Sequence, residues 1–214
     1  MVILGIVGLG GRQVQQRFVL VALFLVSAIP VFSQVESAGK SRELQLTLGA
    51  GFSNYDVDWG HGRMDGGAVW VDFPVPFIPK SLDGFGFEAE ARDISLGHSA
   101  TQPANFRFDT VGGGVIYTWR HFRDFRPYSK YLASFGGIDW NNPNPLFLHE
   151  TRTVTALGGG LEFRVHKHIW LRADEEYQFW PDIDLQRHPL TDTHVLDPQG
   201  FTVGLSYDFR HLVE

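Results

Sequence analysis

Apolar and polar residues alternate along most of this chain. From residue 42 onward, segments with a period of two follow one another, and Gly, Pro, Asn and Asp separate them. The clearest segment is FGFEAEARDISL, in which apolar residues at positions 85, 87, 89 and 91 alternate with Gly86, Glu88, Glu90 and Arg92. No long segment has the i, i+3, i+4 spacing of an amphipathic helix, so the pattern predicts β-strands.

The alternation predicts eight strands, although it leaves open which way the second one faces. The links after the fourth strand (FRDFR) and after the sixth (HKH) are short, whereas GHSATQPAN, DWNNPNPLFLHE and PDIDLQRHPLTDTHVLDPQ are long and polar. Successive hairpins without helices predict an all-β fold, an eight-stranded antiparallel up-and-down barrel. The predicted strands lie within residues 42–57, 66–73, 85–96, 108–119, 127–138, 153–165, 170–180 and 200–210.

The N-terminus has the organisation of a secretory signal peptide. Arg12 and Arg17 precede an apolar stretch at residues 18–29, which is too short to span a membrane as a helix. The sequence AIPVFSQ then places cleavage after Ser33 or Gln34.

The chain is therefore expected to have two parts, a cleaved signal peptide at 1–34 and a barrel domain at 35–214. Removal of the signal takes away two arginines and no acid, so the net charge changes from −6 to −8. An acidic exported chain argues against a nucleic-acid partner. Because there is no Cys, disulfides, thiol nucleophiles and cysteine-ligated zinc sites are excluded.

Alternation alone does not distinguish a soluble lipocalin-like barrel from a transmembrane barrel, since the two differ in which face is apolar. Tryptophans near predicted strand ends favour the transmembrane form, because amphipathic rings suit the two membrane interfaces; they are Trp119, Trp140, Trp170 and Trp180. The alternative is that these rings belong to the protein core beside turns.

The polar face also carries a nearly balanced set of charges, as a narrow interior filled by paired side chains requires. The six acids are Glu88, Glu90, Glu162, Asp174, Glu176 and Asp208, and the five bases are Arg92, Lys130, Arg164, Arg172 and Arg210. The alternative is a solvated outer face with exposed ion pairs.

The signal, the eight amphipathic strands and the aromatic last strand FTVGLSYDF resemble the small OmpA/OmpX-type outer-membrane β-barrels of Gram-negative bacteria. LRADEEYQFW and FRPYSKYLASFGGI are similar to the corresponding strands of that superfamily. The resemblance implies an outer-membrane location, lipids and lipopolysaccharide as surroundings, and a monomer. It also implies that the barrel assembly machinery reads the last strand at Phe209, although RHLVE follows that residue here. No peptidoglycan-binding domain is expected.

One residue does not fit this arrangement. By strict alternation Glu175 lies on the lipid face near the middle of its strand, where a charge is destabilising. Three explanations remain open at this point: a β-bulge that changes its direction, pairing at an oligomer contact, or protonation.

Catalytic, cofactor-binding and metal sites are not expected, and a pore is not expected from eight strands. The adjacent pair His98–Ser99 lacks a third group for a triad. The loop residues His149, His188 and His194 and the turn residues His166 and His168 do not form a ligand cluster. The GIVGLGGR stretch lacks the helix and acid of a dinucleotide site.

The sequence thus favours a non-enzymatic outer-membrane barrel with a structural or surface-interaction role, exerted through its long loops. Two alternatives have different consequences. A periplasmic lipocalin-like carrier of a small ligand would have its apolar face inside. A lipid-A-modifying barrel enzyme would depend on His98 and Ser99.

Overall fold

The computed structural model describes residues 46–57, 62–75, 83–96, 107–139, 149–181 and 196–209. Their secondary structure consists of eight strands: β1 (Leu46–Asp56), β2 (Arg63–Pro74), β3 (Phe85–Ser95), β4 (Arg107–Thr118), β5 (Phe125–Asp139), β6 (His149–Arg164), β7 (Ile169–Phe179) and β8 (Gln199–Phe209). Among these residues, no helix is long and apolar enough to cross a membrane.

The strands form a closed antiparallel barrel in which each pairs with its neighbours in sequence. The barrel closes between β1 and β8, where Leu46 pairs with Phe209 and Asp56 with Gln199. This confirms the predicted up-and-down architecture, and each of the eight predicted segments overlaps one strand, although the second, fifth and sixth strands begin three, two and four residues earlier than predicted. The predicted signal peptide at 1–34 lies outside the described residues.

The outward face of the barrel is apolar and the inward face is polar. Glu88, Arg172 and Glu176 are buried inside, each 2% exposed or less. This is the reverse of a lipocalin-like carrier, so that alternative does not describe the chain. Large apolar side chains on the outside include Leu48, Phe52, Val69, Phe87, Val115, Tyr131, Phe135, Leu157, Val203 and Leu205.

The structure settles the direction of β2, which the sequence left open. Trp70 is buried in the interior at 2% exposure, whereas its neighbour Val69 is outside at 45% exposure. Asp72, two residues after Trp70, therefore also points inward. Its carboxylate contributes to the interior charges described below.

The expectation that Trp170 and Trp180 mark the membrane interfaces is wrong. Both rings lie inside the barrel, at 1% and 0% exposure. The physical reason is the period of two, because residues 170 and 180 share a face with the inward-pointing Arg172. Trp119 is 43% exposed on the outside at the end of its strand, as predicted. Trp140 lies outside the described residues.

Glycines make room for the interior tryptophans. A Cβ atom added at Gly49 would overlap the indole ring of Trp70, and one added at Gly136 would overlap Trp180. A narrow barrel interior accommodates large rings only where the facing wall is small. Each of these two tryptophans therefore fits inside the barrel only because the residue facing it is a glycine.

The end of the barrel that carries the long links has an apolar interior. Buried side chains from six strands and from residues 57, 180 and 196 outside the strands pack together there, and we call this group the apolar cap. Its members are Tyr55, Val57, Met64, Ile94, Phe108, Ile138, Val154, Trp180 and Leu196. The interior is therefore asymmetric, with charged residues located between the apolar cap and the short-turn end.

Candidate functional site: the charged barrel interior

Charged side chains from five strands point into the barrel. Nearly all of the acids and bases predicted for the polar face are buried there: Glu88, Glu90, Arg92, Lys130, Glu162, Arg172, Asp174, Glu176 and Asp208. Two bases differ. Arg164 is half-buried at the short-turn end beside Asp124, and Arg210 lies outside the described residues.

Lys130 on β5 is surrounded by four carboxylates. Its Nζ atom lies 2.6 Å from Glu90, 2.8 Å from Glu176, 3.3 Å from Glu88 and 3.4 Å from Asp174. These acids come from β3 and β7, on either side of β5 in the ring. One ammonium group therefore connects three strands that do not pair with one another.

Arg172 on β7 is the second centre of the network. Its guanidinium lies 2.6 Å from Glu88, 3.2 Å from Asp174 and 3.3 Å from Asp72. The same group stacks over two aromatic rings, at 4.7 Å from the centroid of Trp70 and 4.4 Å from that of Tyr128. The planar guanidinium donates to acceptors around its edge while its flat face packs on the aromatic rings.

Arg92 on β3 completes the set of cations. It lies 2.7 Å from Glu90 and donates to Glu176, and it stacks 4.5 Å from the centroid of Tyr55. Two tyrosine hydroxyls extend the network: Tyr55 donates to Glu176 at 3.3 Å, and Tyr128 donates to Asp174 at 2.7 Å. Neutral donors stabilise buried carboxylates without adding charge.

The network has five carboxylates and three cations. The carboxylates are Asp72, Glu88, Glu90, Asp174 and Glu176, and the cations are Arg92, Lys130 and Arg172. Buried charges are tolerated only with close pairing and additional hydrogen bonds, and both are present here. Asp72, Tyr55 and Tyr128 are not among the predicted residues. Alternation could have identified Tyr128, two residues from Lys130, and Tyr55, two residues from the buried Ser53, whereas Asp72 lies on β2, whose direction the sequence leaves open.

Beside the network, a cavity of about 40 Å³ lies at the short-turn end. Its lining includes Asp72, Arg126, Glu162 and Asp208, together with Thr47 and Thr118. A space of this size holds a few water molecules and excludes an organic ligand of drug size.

The candidate catalytic pair, His98 and Ser99, lies outside the described residues, as do His188 and His194, and the side chain of His149 is not described either. His166 and His168 occupy the turn after β6. Among the described residues, no group of three or more His, Asp or Glu side chains could hold a metal ion.

Glu175 keeps the direction that alternation predicts. It is exposed on the outside of β7, where it pairs with Gly159 of β6 and Phe201 of β8. The register of β7 with both neighbours is continuous around this position, so a bulge does not change its direction. The carboxyl group therefore stands on the apolar outer face.

The comparison with known families agrees with this architecture. The family described as outer membrane protein beta-barrel domain matches residues 19–209. The chain belongs to this outer membrane protein family. Its place is accordingly the outer membrane, and its resemblance to small eight-stranded outer-membrane barrels is confirmed.

Solved structures show the same fold for this outer membrane protein. Neisserial surface protein A is 11% identical, with a TM-score of 0.58 over 78% of this chain and 97% of that one. The attachment invasion locus protein of Yersinia pestis, Ail, is 16% identical, with a TM-score of 0.51 over 78% and 99%. A major outer membrane protein from Thermus thermophilus is 12% identical, with a TM-score of 0.53 over 78% and 99%. A comparison with curated proteins gives no match.

Proposed function

We propose that this outer-membrane barrel has a structural and surface-interaction role, with a lumen closed by its own side chains and no catalysis. Its active surface would be the long links at one end, and the barrel would hold them at the membrane surface. The observation that carries the proposal is the position of Lys130, whose ammonium group lies in the interior within 3.4 Å of four carboxylates.

Two further features support a closed lumen. The apolar cap fills the interior at the long-link end, with Met64 and Ile138 at 1% and 0% exposure. At the other end, the cavity beside Asp72 is only about 40 Å³ in volume. An ion crossing the barrel would have to displace both the cap and the paired charges.

The charges of the long links argue against the kind of ligand that one structural neighbour binds. Ail has been solved in complex with the heparin analogue sucrose octasulfate. A sulfated ligand requires cations, yet residues 97–106, 140–148 and 182–195 together contain one arginine and three aspartates. We therefore propose that the surface partner of this chain is uncharged or cationic rather than a polyanion.

Conductance tests the closed lumen. The folded full-length protein, with its heat-dependent gel mobility verified, is reconstituted into a planar lipid bilayer beside a general diffusion porin as positive control. We expect a current equal to that of the protein-free bilayer. Repeated unitary openings from the wild-type chain would overturn the closed-lumen proposal.

Adhesion of intact cells tests the surface chemistry. Cells that display the protein are passed over heparin beads at low salt, and cells with an empty vector serve as control. We expect equal retention of the two. Stronger retention of the displaying cells, abolished by deletion of residues 182–195, would overturn the proposed exclusion of polyanions.

A further inference from the structure

Two short turns at the same end of the barrel are basic, in contrast to the acidic chain as a whole. Residues 119–124 join β4 to β5, and residues 165–168 join β6 to β7. With the last residue of β6, they contain the cations Arg120, Arg123, Arg164 and Lys167 against the single acid Asp124. We call residues 119–124 and 164–168 the basic turn pair. The net charge of the full chain is −6, so this local excess is not a result of general composition.

Arg164 joins the two turns to each other. Its backbone N–H donates to the carbonyl of Asp124 at 2.9 Å, and its guanidinium donates to the carbonyl of Arg123. The same guanidinium lies 3.7 Å from the Asp124 carboxylate. Arg164 and Asp124 therefore largely compensate each other.

The other three cations are exposed at the surface of the pair. Arg120 lies 4.0 Å from Asp83, and both side chains are more than a third exposed, so the attraction is weak. Within the described part of the chain, Arg123 and Lys167 have no carboxylate within 4 Å, and both are exposed. Their charges are available to a partner.

An aromatic ladder places these cations at the edge of the apolar belt. The rings of Phe122 and Phe125 are stacked with centroids 4.5 Å apart, and Phe125 and Phe163 follow at 6.1 Å. Phe122 is 52% exposed, Phe163 44% and Val165 63%, all on the outside of the protein. Aromatic rings in this position mark a membrane interface, where neighbouring cations extend to the level of the headgroups.

The chemistry of that level defines the partner. In this family the short turns face the periplasm, so the basic turn pair lies beside the phospholipid leaflet. Phosphodiester oxygens accept hydrogen bonds from both guanidinium and ammonium groups. We propose that the basic turn pair is a binding site for the phosphate headgroups of anionic phospholipids in the periplasmic leaflet. The site complements the surface role proposed above and does not depend on it.

Lipid retention in native mass spectrometry tests the site. The full chain is released from micelles that contain equal amounts of phosphatidylglycerol and phosphatidylcholine with identical acyl chains. The test variant is Arg123→Gln with Lys167→Gln. The matched control is Arg63→Gln with Arg107→Gln, which removes two cations at the opposite end. Heat-dependent gel mobility verifies that all three proteins are folded.

The wild type is expected to retain phosphatidylglycerol in preference to phosphatidylcholine. The preference should fall by about thirtyfold in the test variant, as the loss of two cations beside an anionic surface implies, and stay unchanged in the control. Equal retention of the two lipids by the wild type would overturn the proposal. An equal loss of preference in the test and control variants would overturn it as well, because the loss would then follow from the net charge of the protein and not from this site.

Two further arms identify the source of the phosphate and the class of partner. Sodium phosphate is expected to displace no more lipid than sodium chloride of the same ionic strength, and stronger displacement would assign the site to free phosphate. Purified peptidoglycan sacculi are expected to sediment the test variant and the wild type equally. A loss of sedimentation in the test variant, with lipid retention unchanged, would assign the turns to the cell wall and overturn the lipid site.

Discussion

The Nη2 atom of Arg172 lies 2.6 Å from the Oε2 atom of Glu88 and so connects opposite walls of the barrel. Arg172 belongs to β7 and Glu88 to β3, which are four strands apart in a ring of eight. Both side chains are at most 1% exposed. This pair is a cross-brace through the interior, and its strength depends on the balance between desolvation and pairing.

Removal of one partner of this brace should destabilise the barrel strongly. Arg172→Met leaves Glu88, Asp72 and Asp174 in the interior without their shared cation. We expect a loss of about 3–5 kcal/mol in the free energy of unfolding, since an uncompensated buried charge remains. Urea titration in lipid vesicles, followed by heat-dependent gel mobility, measures this change.

The double variant Arg172→Met with Glu88→Met is the control for that measurement. It removes a charge of each sign, so we expect it to recover part of the lost stability. Equal stability of the double and single variants would show that the guanidinium acts on other partners and that the cross-brace itself contributes little.

Replacement of Glu175 by Leu should stabilise the protein. The carboxyl group faces outward between Tyr177 and Ala173 on the apolar surface, and its removal ends the cost of placing it in lipid. We expect a gain of about 1–2 kcal/mol, below the range for Arg or Lys at the bilayer midplane. The same vesicle titration measures it.

The neighbouring change Glu176→Leu is the matched control, because Glu176 points inward and pairs with Lys130 and Arg92. It should destabilise the protein. If Glu175→Leu also destabilised it, the outer carboxyl would have a partner in the membrane, such as a second copy of the chain.

A larger residue in place of Gly136 should prevent barrel closure. A valine side chain there would overlap the ring of Trp180 and the side chain of Val154. We expect Gly136→Val to lower the yield of the heat-modifiable folded form by more than half, because an overpacked interior has no space to relax. Gly67→Val is the control, since its added Cβ would meet only a backbone oxygen at 3.5 Å. Equal yields of the two variants would contradict the proposed fit of glycine to ring.

The mature protein should begin at residue 34 or 35. Cleavage after Ser33 or Gln34 removes Arg12 and Arg17 with the apolar stretch. N-terminal sequencing of the protein from the outer-membrane fraction measures this. A mature form that retains Arg17 would contradict the predicted signal peptide.

The alternation of side chains predicts the strands and separates their two faces, and the balanced charges on the polar face indicate that this face lies inside the barrel. Glu88, Lys130 and Arg172 were placed correctly on the interior face for this reason. Their partners were not predicted, since distances across a barrel depend on register and tilt, which a single strand pattern does not contain.

The tryptophans show where general expectations conflicted with alternation. The residue type of Trp170 predicts a membrane interface, although the ring shares a face with Arg172. In the structure the guanidinium groups of Arg126 and Arg164 lie over its ring, at 3.6 Å and 4.8 Å from the centroid. The position of a residue in the alternation therefore predicts its direction better than the general preference of tryptophan for membrane interfaces.

The contacts across the interior also have a consequence for the order in which the chain folds. Arg172 and Glu88 are 84 residues apart in sequence, and Lys130 and Glu90 are 40 apart. A hairpin that entered the membrane alone would carry Glu88 and Glu90 without most of their cations, so a partly inserted barrel is electrostatically penalised. Insertion of the early strands is therefore coupled to the arrival of β7, and the chain should cross from the unfolded to the folded state without a stable half-barrel.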